Sequence, residues 1–466
     1  MSNQLTKADA ARKRSLGKPG SLLEALQNGG PLVWASCLVM GLGNIAAGQF
    51  IKGILFLLFE IGIIVFMVLP GGGIYNLSML PSLGWLEQEE VWSDELGVFV
   101  YTEGHKSQLI LLYGVATVAI LLLAIVVWRA SVRSGYLWLS KKKAGKKVNS
   151  FIEDVKALFD VNIHKLLMLL PFTGILVFTI VPLIYMICMA FTNYSAAFGA
   201  ENHAVLFDWV GLETFKQLFS SSGFGELFWD VLAWTLIWAF FATFLNFFLG
   251  TFVAMIINRP STKLKGLWRT VFSLTVAIPQ FVSLLLINTM FRDQGILNST
   301  LKDFGFISES LPFLTDATWA RCLVIIINLW VGIPYTIMQV TGILKNIPSD
   351  LYEAARIDGA NAVQQFLNIT LPYMIFVMTP YIITSFTGNI NNFNVIYLLT
   401  GGGPNPELAS AGKTDLLVTW LFKLTMNQFR YNLAAVIGIF TFIVLAIVSL
   451  VTYRSSGSYK DEEGFK

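Results

Sequence analysis

Long apolar runs, separated by shorter polar connections, recur along almost the whole chain. Seven runs contain about 20 residues or more, and they cover residues 51–70, 108–128, 165–191, 230–257, 267–290, 319–344 and 431–453. An eighth run, 373–397, is apolar in its first half and rich in asparagine in its second half. Because about 20 apolar residues cross a bilayer as an α-helix, the pattern predicts an all-α, polytopic membrane protein with about eight transmembrane helices.

The Lys and Arg residues of the connections predict the orientation of these spans. They are frequent in the connections 129–164 and 258–266 and in the C-terminal segment 454–466, whereas the alternate connection 71–107 is acidic. Lys and Arg collect in the cytoplasmic loops of membrane proteins. The basic connections are therefore predicted to be cytoplasmic, and both termini are predicted to lie inside the cell.

This orientation needs an odd number of crossings before residue 71. The polar and basic segment 1–30 is too long for the start of a cleavable signal peptide, so it is predicted to be a retained cytoplasmic tail. The glycine-containing segment 31–50 is predicted to be re-entrant or interfacial and to precede one crossing at about 51–70. Glu60 lies within that crossing, where an ionisable group is a functional candidate. Its position outside the six later spans favours a structural carboxyl, either protonated or hydrogen-bonded.

The composition excludes several classes of function. Charged residues make up 13% of the chain and the mean hydropathy is +0.65, so lipid is the main solvent. The net charge of +3 is too small to indicate nucleic-acid binding, and the three cysteines and three histidines are too scattered to predict a disulfide or metal site. No catalytic residues or cofactor are predicted. Gly412-Lys413-Thr414 lacks the first glycine of a phosphate-binding loop, so any ATP hydrolysis must come from a separate subunit.

The segment 346–372 is longer than a connection between two spans requires. Its sequence predicts a short helix that starts with a capping box between Asp350 and Glu353, and a left-handed turn at Gly359. A second short helix then leads into the next span. The small-residue face of this helix-turn-helix suits docking into a groove on another protein.

This segment resembles the EAA loop of permeases in binding-protein-dependent ABC importers. The pattern of that family is met at every fixed position, which are Glu353, Ala354, Ala355, Gly359, Ile369, Leu371 and Pro372. The resemblance implies that Glu353, Ala354, Ala355 and Gly359 couple the chain to an ATP-binding subunit. Residues 346–372 are called the EAA loop below.

Two predicted spans carry small or polar, uncharged residues at the spacing i, i+3, i+4 and i+7, which places each set on one helix face. The eight residues, called the polar stripe below, are Asn328, Val331, Gly332, Tyr335, Ser385, Gly388, Asn389 and Asn392. Because unpaired polar groups are costly in lipid, the two faces are expected to point into the helix bundle or a watery cavity. The spacing alone leaves a choice between a site for a polyhydroxylated ligand and interhelical hydrogen bonding.

Residues from about 165 to the C-terminus resemble the MalF-type permeases of maltose and maltodextrin importers. The resemblance is carried by the run Asn328 to Tyr335, the run Pro380 to Pro404 and the run Thr414 to Val418. It implies that the eight residues of the polar stripe contact the sugar. One departure is Gly388, which stands where the maltose permease has a stacking aromatic residue. Another is the predicted external loop 192–229, which lacks a large inserted domain.

The resemblance implies the transmembrane-domain fold of type I ABC importers and oligosaccharide import driven by ATP. The implied partners are a dimeric ATP-binding subunit, a second and distinct permease subunit, an extracytoplasmic sugar-binding protein and membrane lipid. Maltodextrins and galacto-oligosaccharides both remain open as substrates. The alternative is an ion-coupled secondary transporter or channel for a neutral polar solute.

The predicted organisation has five parts. They are a cytoplasmic tail 1–30, an N-terminal membrane segment 31–128 with two spans, a basic cytoplasmic linker 129–164, a six-span permease core 165–453 that contains the EAA loop, and a cytoplasmic tail 454–466. The protein is predicted to lie in the cytoplasmic membrane.

Overall fold

The computed structural model describes residues 21–195, 206–220, 223–259, 261–406 and 409–455. The basic residues of the N-terminal tail, His203 and nearly all of the C-terminal tail lie outside the described residues. The described chain is mainly helical and contains one two-stranded antiparallel sheet. It forms two compact units, of which the first runs to Asn193 and includes Phe207–Trp209, and the second contains the chain from Val210 onward.

The first unit contains nine helices, one π-helical turn and two strands among its described residues. They are α1 Leu22–Asn28, α2 Gly30–Leu38, α3 Leu42–Ala47, α4 Phe50–Val68, α5 Gly73–Met79, β1 Glu90–Ser93, β2 Val98–Tyr101, α6 Ser107–Lys143, α7 Phe151–Phe159, α8 Ile163–Ile175, the π-helical turn Leu176–Ile180 and α9 Val181–Met189. The third predicted span, which the sequence assigns to the permease core, therefore lies in this unit.

The second unit is helical wherever its described residues form regular structure. Its elements are α10 Glu213–Leu218, α11 Phe224–Asn258, α12 Lys265–Ala277, α13 Gln280–Met290, α14 Ile296–Asp303, α15 Ala317–Leu344, α16 Ser349–Ile357, α17 Ala362–Gln365, the π-helical turn Phe366–Thr370, α18 Leu371–Ile390, α19 Phe393–Thr400, α20 Leu417–Met426 and α21 Tyr431–Ser455.

Seven helical segments of the described chain are long and apolar enough to cross a bilayer. They are Phe50–Val68, Ser107–Lys143, Ile163–Met189, Phe224–Asn258, Ala317–Leu344, Ala362–Thr400 and Tyr431–Arg454. The bent pair α12 and α13 makes an eighth candidate. The prediction of an all-α chain with about eight transmembrane helices is confirmed.

The predicted span 267–290 is not one straight helix. Helices α12 and α13 meet at an angle of 87°, and Ile278 between them has an extended backbone with φ −80° and ψ 128°. The next residue, Pro279, disfavours a helical conformation at Ile278 and caps the start of α13. A proline therefore places the bend.

The segment 31–50 forms parts of α2 and α3, and each of these helices is too short to cross a bilayer. The chain turns between them at Gly41, whose φ is +83°. A side chain at Gly41 would collide with the backbone of Gly53 on α4, so the turn lies directly against the first span.

Glu60 on α4 stabilises the same turn. Its carboxylate accepts a hydrogen bond of 2.7 Å from the backbone N–H of Met40, which lies between α2 and α3. Gly41 in turn donates its N–H to the hydroxyl of Ser131 on α6 over 2.8 Å. Glu60 thus has a structural partner within the N-terminal spans, as the sequence interpretation favoured.

Two apolar clusters form the core of the second unit. One contains Trp238 of α11, Leu323 of α15 and Val395 of α19. The other contains Phe247 of α11, Ile337 of α15 and Met374 of α18. Helix α11 contributes to both clusters, so it positions the two helices, α15 and α18, that carry the polar stripe.

Candidate functional site

The first helix of the EAA loop, α16, ends in a Schellman motif. The N–H of Ala360 donates to the carbonyl of Ala355 over 2.8 Å, and the N–H of Gly359 donates to the carbonyl of Arg356 over 3.1 Å. This motif needs a left-handed residue just past the helix, and Gly359 supplies it with φ +79°. The left-handed turn expected at Gly359 is confirmed.

The capping box expected between Asp350 and Glu353 is wrong. Helix α16 already starts at Ser349 after Pro348, and no side chain caps its first turn. Asp350 is therefore inside the helix, and its carboxylate accepts a hydrogen bond of 3.3 Å from the hydroxyl of Ser349. A capping box occurs one helix later, where Asn361 and Gln364 cap the start of α17.

The EAA loop exposes apolar side chains together with its charged ones. Leu351, Ile357, Val363 and Leu367 are all exposed large hydrophobic residues, and Ile357 is 86% exposed. Glu353 and Ala354 are exposed as well, while Ala355 is half-buried. Several large exposed apolar side chains beside charged ones in one short loop are typical of a protein interaction site.

The four residues of the polar stripe on α15 differ in their surroundings. Asn328 is 4% exposed, and its side-chain N–H₂ group is buried with no hydrogen-bond partner. Val331 packs against the apolar core. Gly332 lies so close to the amide of Asn246 on α11 that any side chain there would collide with it. Tyr335 is 47% exposed.

The stripe on α18 is shorter than the spacing predicts. The helix ends at Ile390, and Asn392 lies beyond it as the N-cap of α19, where its side-chain oxygen accepts from the N–H of Val395 over 3.3 Å. The expectation that all four residues share one helix face is therefore wrong for Asn392. Its side-chain amide still reaches the side-chain oxygen of Asn389 over 3.4 Å.

Asn389 is held by two residues of α11. Its side-chain amide donates to the hydroxyl of Thr243 over 3.0 Å, and its backbone carbonyl accepts from the indole N–H of Trp238 over 2.9 Å. Ser385 is half-buried one turn earlier. Gly388 is exposed, and a side chain at this position would have no neighbour within 4 Å.

The sequence analysis missed the contribution of α11. Asn246 is 8% exposed, donates its side-chain amide to the carbonyl of Ala242 over 2.6 Å, and has a buried side-chain oxygen with no partner. Unpaired buried amide atoms therefore occur on both α11, at Asn246, and α15, at Asn328. Such atoms are rare in proteins and call for an explanation such as a bound ligand or water. An asparagine within an otherwise apolar span was the available signal.

The connection 401–416 is built around a buried ion pair. The carboxylate of Asp415 is fully buried and lies 2.6 Å from the ammonium of Lys423. It also accepts hydrogen bonds from the N–H of Gly412 and the hydroxyl of Thr419. Gly402, with φ +81°, packs directly against this carboxylate.

Side chains of the core helices hold this connection in place. Arg321 of α15 donates to the carbonyl of Lys413 over 2.8 Å, and Trp234 of α11 donates to the carbonyl of Thr414 over 3.2 Å. A cavity of about 790 Å³ opens beside it, lined by charged residues that include Glu226 and Arg430. Gly412-Lys413-Thr414 is thus part of a packed structural loop.

Comparison with known proteins identifies the family. Residues 246–456 match the family described as the binding-protein-dependent transport system inner membrane component. The galactooligosaccharides transport system permease protein GanP of Bacillus subtilis (strain 168) is 35% identical over 429 residues, which cover 91% of this chain and 97% of the relative. The chain belongs to this family of ABC importer permeases. It is accordingly a multi-pass membrane protein and a transporter subunit, not an enzyme.

Further members of this permease family show a similar degree of likeness. The maltodextrin transport system permease protein MdxF of Bacillus subtilis (strain 168) is 32% identical over 441 residues, covering 91% of this chain and 95% of the relative. The maltose/maltodextrin transport system permease protein MalF of Vibrio vulnificus (strain YJ016) is 35% identical over 251 residues, covering 53% of this chain and 48% of the relative. The resemblance to MalF-type permeases is confirmed.

Solved structures agree on the fold. A bacterial ABC transporter involved in the import of alginate matches with a TM-score of 0.51 at 21% identity, over 67% of this chain and 99% of that chain. A bacterial alginate ABC transporter in complex with an alginate pentasaccharide-bound periplasmic protein matches with a TM-score of 0.54 at 23% identity. The match covers 66% of this chain and 98% of that chain. The permease therefore has the transmembrane-domain fold of ABC importers.

Proposed function

We propose that this permease conducts oligosaccharides along its polar stripe. The observation that carries the proposal is the uncharged, accessible chemistry of that stripe within two spans: an amide at Asn392, a phenol at Tyr335 and open space at Gly388. Amides and hydroxyls can both donate to and accept from sugar hydroxyls. No charged residue belongs to the stripe, which suits a neutral sugar.

The substrates named for the relatives support a neutral oligosaccharide. GanP is named for galactooligosaccharides, and MdxF for maltodextrin. At Gly388 this chain has no side chain where the maltose permease has an aromatic ring, so the site is wider there. A wider site accommodates a longer chain or a different glycosidic linkage. Both substrate classes are therefore part of the proposal.

The eight residues of the polar stripe have different roles in this proposal. Tyr335, Ser385, Gly388 and Asn392 line the accessible surface on which the sugar moves. The amides of Asn328 and Asn389 lie deeper, and Val331 and Gly332 set the shape of the wall. The unpaired amide of Asn328 gains a partner when a sugar hydroxyl or a water accompanying the sugar reaches it.

ATP hydrolysis on a partner drives the transport. We propose that the exposed EAA loop docks on a dimeric ATP-binding subunit, with Glu353 pairing with a basic residue of that subunit and the small residues Ala354 and Ala355 allowing close approach. The apolar side chains that surround them, such as Ile357, become buried on docking. A second permease completes the sugar pathway, and an extracytoplasmic binding protein delivers the sugar.

The proposed orientation follows from the charges. The basic connections 129–164 and 258–266 and both termini face the cytoplasm, as does the EAA loop. The connection 401–416 then faces outward. The functional division remains that of an N-terminal membrane segment 31–128, a basic linker 129–164 and a permease core 165–453.

A sugar screen on the assembled transporter tests the substrate. The complete complex, with its binding protein, is placed in nanodiscs, and ATP hydrolysis is measured with maltodextrins and galacto-oligosaccharides of graded length. We expect one of these two classes to stimulate hydrolysis. If neither class stimulates hydrolysis or is taken up, the proposed substrate is wrong.

Substitution of Gly359 tests the docking role of the EAA loop. Proline at position 359 cannot adopt the positive φ of the Schellman motif. In Gly359→Pro, α16 therefore cannot end in this motif, and the conformation of the EAA loop is lost. We expect ATP-driven uptake to be abolished while the chain still inserts into the membrane. Normal uptake by this variant would rule out the proposed docking role.

A further inference from the structure

A π-helical turn lies within the EAA loop, after its two short helices, and leads into the span that carries half of the polar stripe. It covers Phe366–Thr370 and continues directly into α18. Pro372 in the first turn of α18 explains it. Proline has no N–H, and its ring clashes with the carbonyl four residues earlier, here that of Asn368 in the middle of the turn. Widening the helix by one residue per turn relieves that clash.

The same relation occurs elsewhere in the chain. The first unit contains a π-helical turn at Leu176–Ile180, and Pro182 follows it at the same distance. The carbonyl four residues before Pro182 belongs to Phe178, again in the middle of the turn. Only the turn at Phe366–Thr370 directly follows the helices of the EAA loop, and π-helical turns are frequent at functional sites.

A side-chain hydrogen bond joins this turn to the first helix of the EAA loop. The hydroxyls of Tyr352 on α16 and Thr370 lie 2.8 Å apart, although the two residues are 18 positions apart in sequence. Thr370 is 4% exposed, and Tyr352 is half-buried. Tyr352 directly precedes Glu353, so it shares the helix that displays the docking residues while its own side chain points back to the span.

Beyond Thr370, α18 is packed firmly against the core. Met374 is fully buried and Met378 is 1% exposed, and both contact the cluster formed with α11 and α15. Asn389 further along the helix is bonded to Thr243 and Trp238. A displacement applied at Thr370 is therefore passed to a helix whose far end, about 28 Å away at 1.5 Å per residue, carries the polar stripe.

We propose that Tyr352 and Thr370 are positioning residues that fix the angle between α16 and α18. When the ATP-binding subunit moves α16, the hydrogen bond makes the π-helical turn and α18 follow as one body. Without the bond, the chain between Gly359 and Thr370 bends, and ATP hydrolysis continues with less sugar moved. This inference rests on the proposed coupling function of the EAA loop and assigns that function a specific contact.

The test measures the number of sugar molecules imported per ATP hydrolysed by the complete transporter in proteoliposomes. The probe is maltotriose or galactotriose, whichever the wild-type complex imports. Tyr352→Phe and Thr370→Val each remove one hydroxyl and keep the side-chain shape. Each is expected to lower the ratio about fivefold, the factor expected for one intramolecular hydrogen bond.

The double variant and two controls separate this role from general damage. Because both single variants break the same bond, Tyr352→Phe combined with Thr370→Val should show about the same fivefold loss and not the product of two losses. Thr370→Ser keeps the hydroxyl and should retain the wild-type ratio. Thr379→Val on the same helix should also match wild type, because the Thr379 hydroxyl donates to the carbonyl of Ile375 within its own helix and not to the EAA loop.

Three results would overturn the inference. They are a wild-type ratio in both single variants, a double variant whose loss is the product of the two, or a loss explained by failure of the ATP-binding subunit to co-purify. Failure of the proposed function itself would look different, because the wild-type complex would then import neither sugar in response to ATP.

Discussion

The contact between Gly250 on α11 and Thr336 on α15 offers a direct test of how closely the helices pack. A Cβ atom at position 250 would lie 2.6 Å from both Cβ and Cγ2 of Thr336. Thr336 is 1% exposed, and its hydroxyl donates to the carbonyl of Gly332 over 3.3 Å. A β-branched side chain in a helix has little rotational freedom, so Thr336 cannot turn away from a new neighbour.

The cost of Gly250→Ala follows from these distances. Carbon atoms in good contact are separated by about 3.5 Å, so the two helices must move apart by about 1 Å. Overpacking of this kind costs about 1–3 kcal/mol. Alanine regains about 1 kcal/mol over glycine through its higher helix propensity. We therefore expect a net destabilisation of about 0–2 kcal/mol, which is about 1–3 kcal/mol worse than a glycine-to-alanine change in a helix that meets no neighbour.

The assay is the unfolding free energy of the purified chain in lipid nanodiscs or mild detergent, measured by steric trapping. Gly388→Ala is the matched control, because a side chain there has no neighbour within 4 Å, and it should be neutral or slightly stabilising. The combined variant Gly250→Ala with Thr336→Gly adds a methyl group to α11 and removes the side chain that it would meet on α15. It should lose less stability than the sum of its two single variants.

Equal stability of Gly250→Ala and Gly388→Ala would refute this reasoning. It would mean that α11 and α15 are not in direct contact at Gly250 and Thr336. The same result would contradict the close packing of Gly332 on α15 against Asn246 on α11.

Three further substitutions test other parts of the molecule. Gly388→Tyr places a ring in open space. It should shift the ratio of uptake between shorter and longer oligosaccharides by about fivefold, the factor expected for one stacking contact. An unchanged ratio would mean that the sugar does not pass Gly388. Asp415→Asn leaves the ammonium of Lys423 without its negatively charged partner and should destabilise the connection 401–416 by about 3–5 kcal/mol. The expected result is faster cleavage of this connection by external protease. Cleavage at the wild-type rate would contradict this expectation. Glu60→Gln keeps an oxygen for the N–H of Met40 and should leave uptake unchanged, whereas a loss of dependence on an ion gradient would favour the secondary-transporter alternative.

The local features of the chain were accessible from the sequence. The spans could be predicted because a helix that crosses lipid needs about 20 apolar residues in a row, and that length is visible without knowledge of any neighbour. The turn at Gly359 could be predicted for the same kind of reason, because a positive φ favours glycine whatever surrounds it. The family followed from the fixed spacing in the EAA loop.

The ends of elements were less accessible, because they depend on competition between neighbouring residues. Asp350 and Glu353 have the spacing of a capping box, yet α16 starts at Ser349 and leaves Asp350 inside the helix. Asn392 continues the helical spacing of Ser385 and Asn389, yet it caps α19 instead. A residue at a helix cap and a residue inside the helix can stand at the same spacing in the sequence. The hydrogen bonds formed in the folded chain decide which of the two positions the residue occupies.

The order of apolar, polar and glycine residues along the chain was enough to predict a polytopic helical membrane protein with an EAA loop and uncharged polar faces in two spans. The contacts between distant residues became visible only in the folded chain: Asn389 meets Thr243, Gly332 meets Asn246, and Tyr352 meets Thr370. The difference lies in how far apart along the chain the interacting residues are. Apolar length and backbone φ are properties of a short stretch of chain, whereas a hydrogen bond between helices exists only once packing has brought two distant residues within about 3 Å.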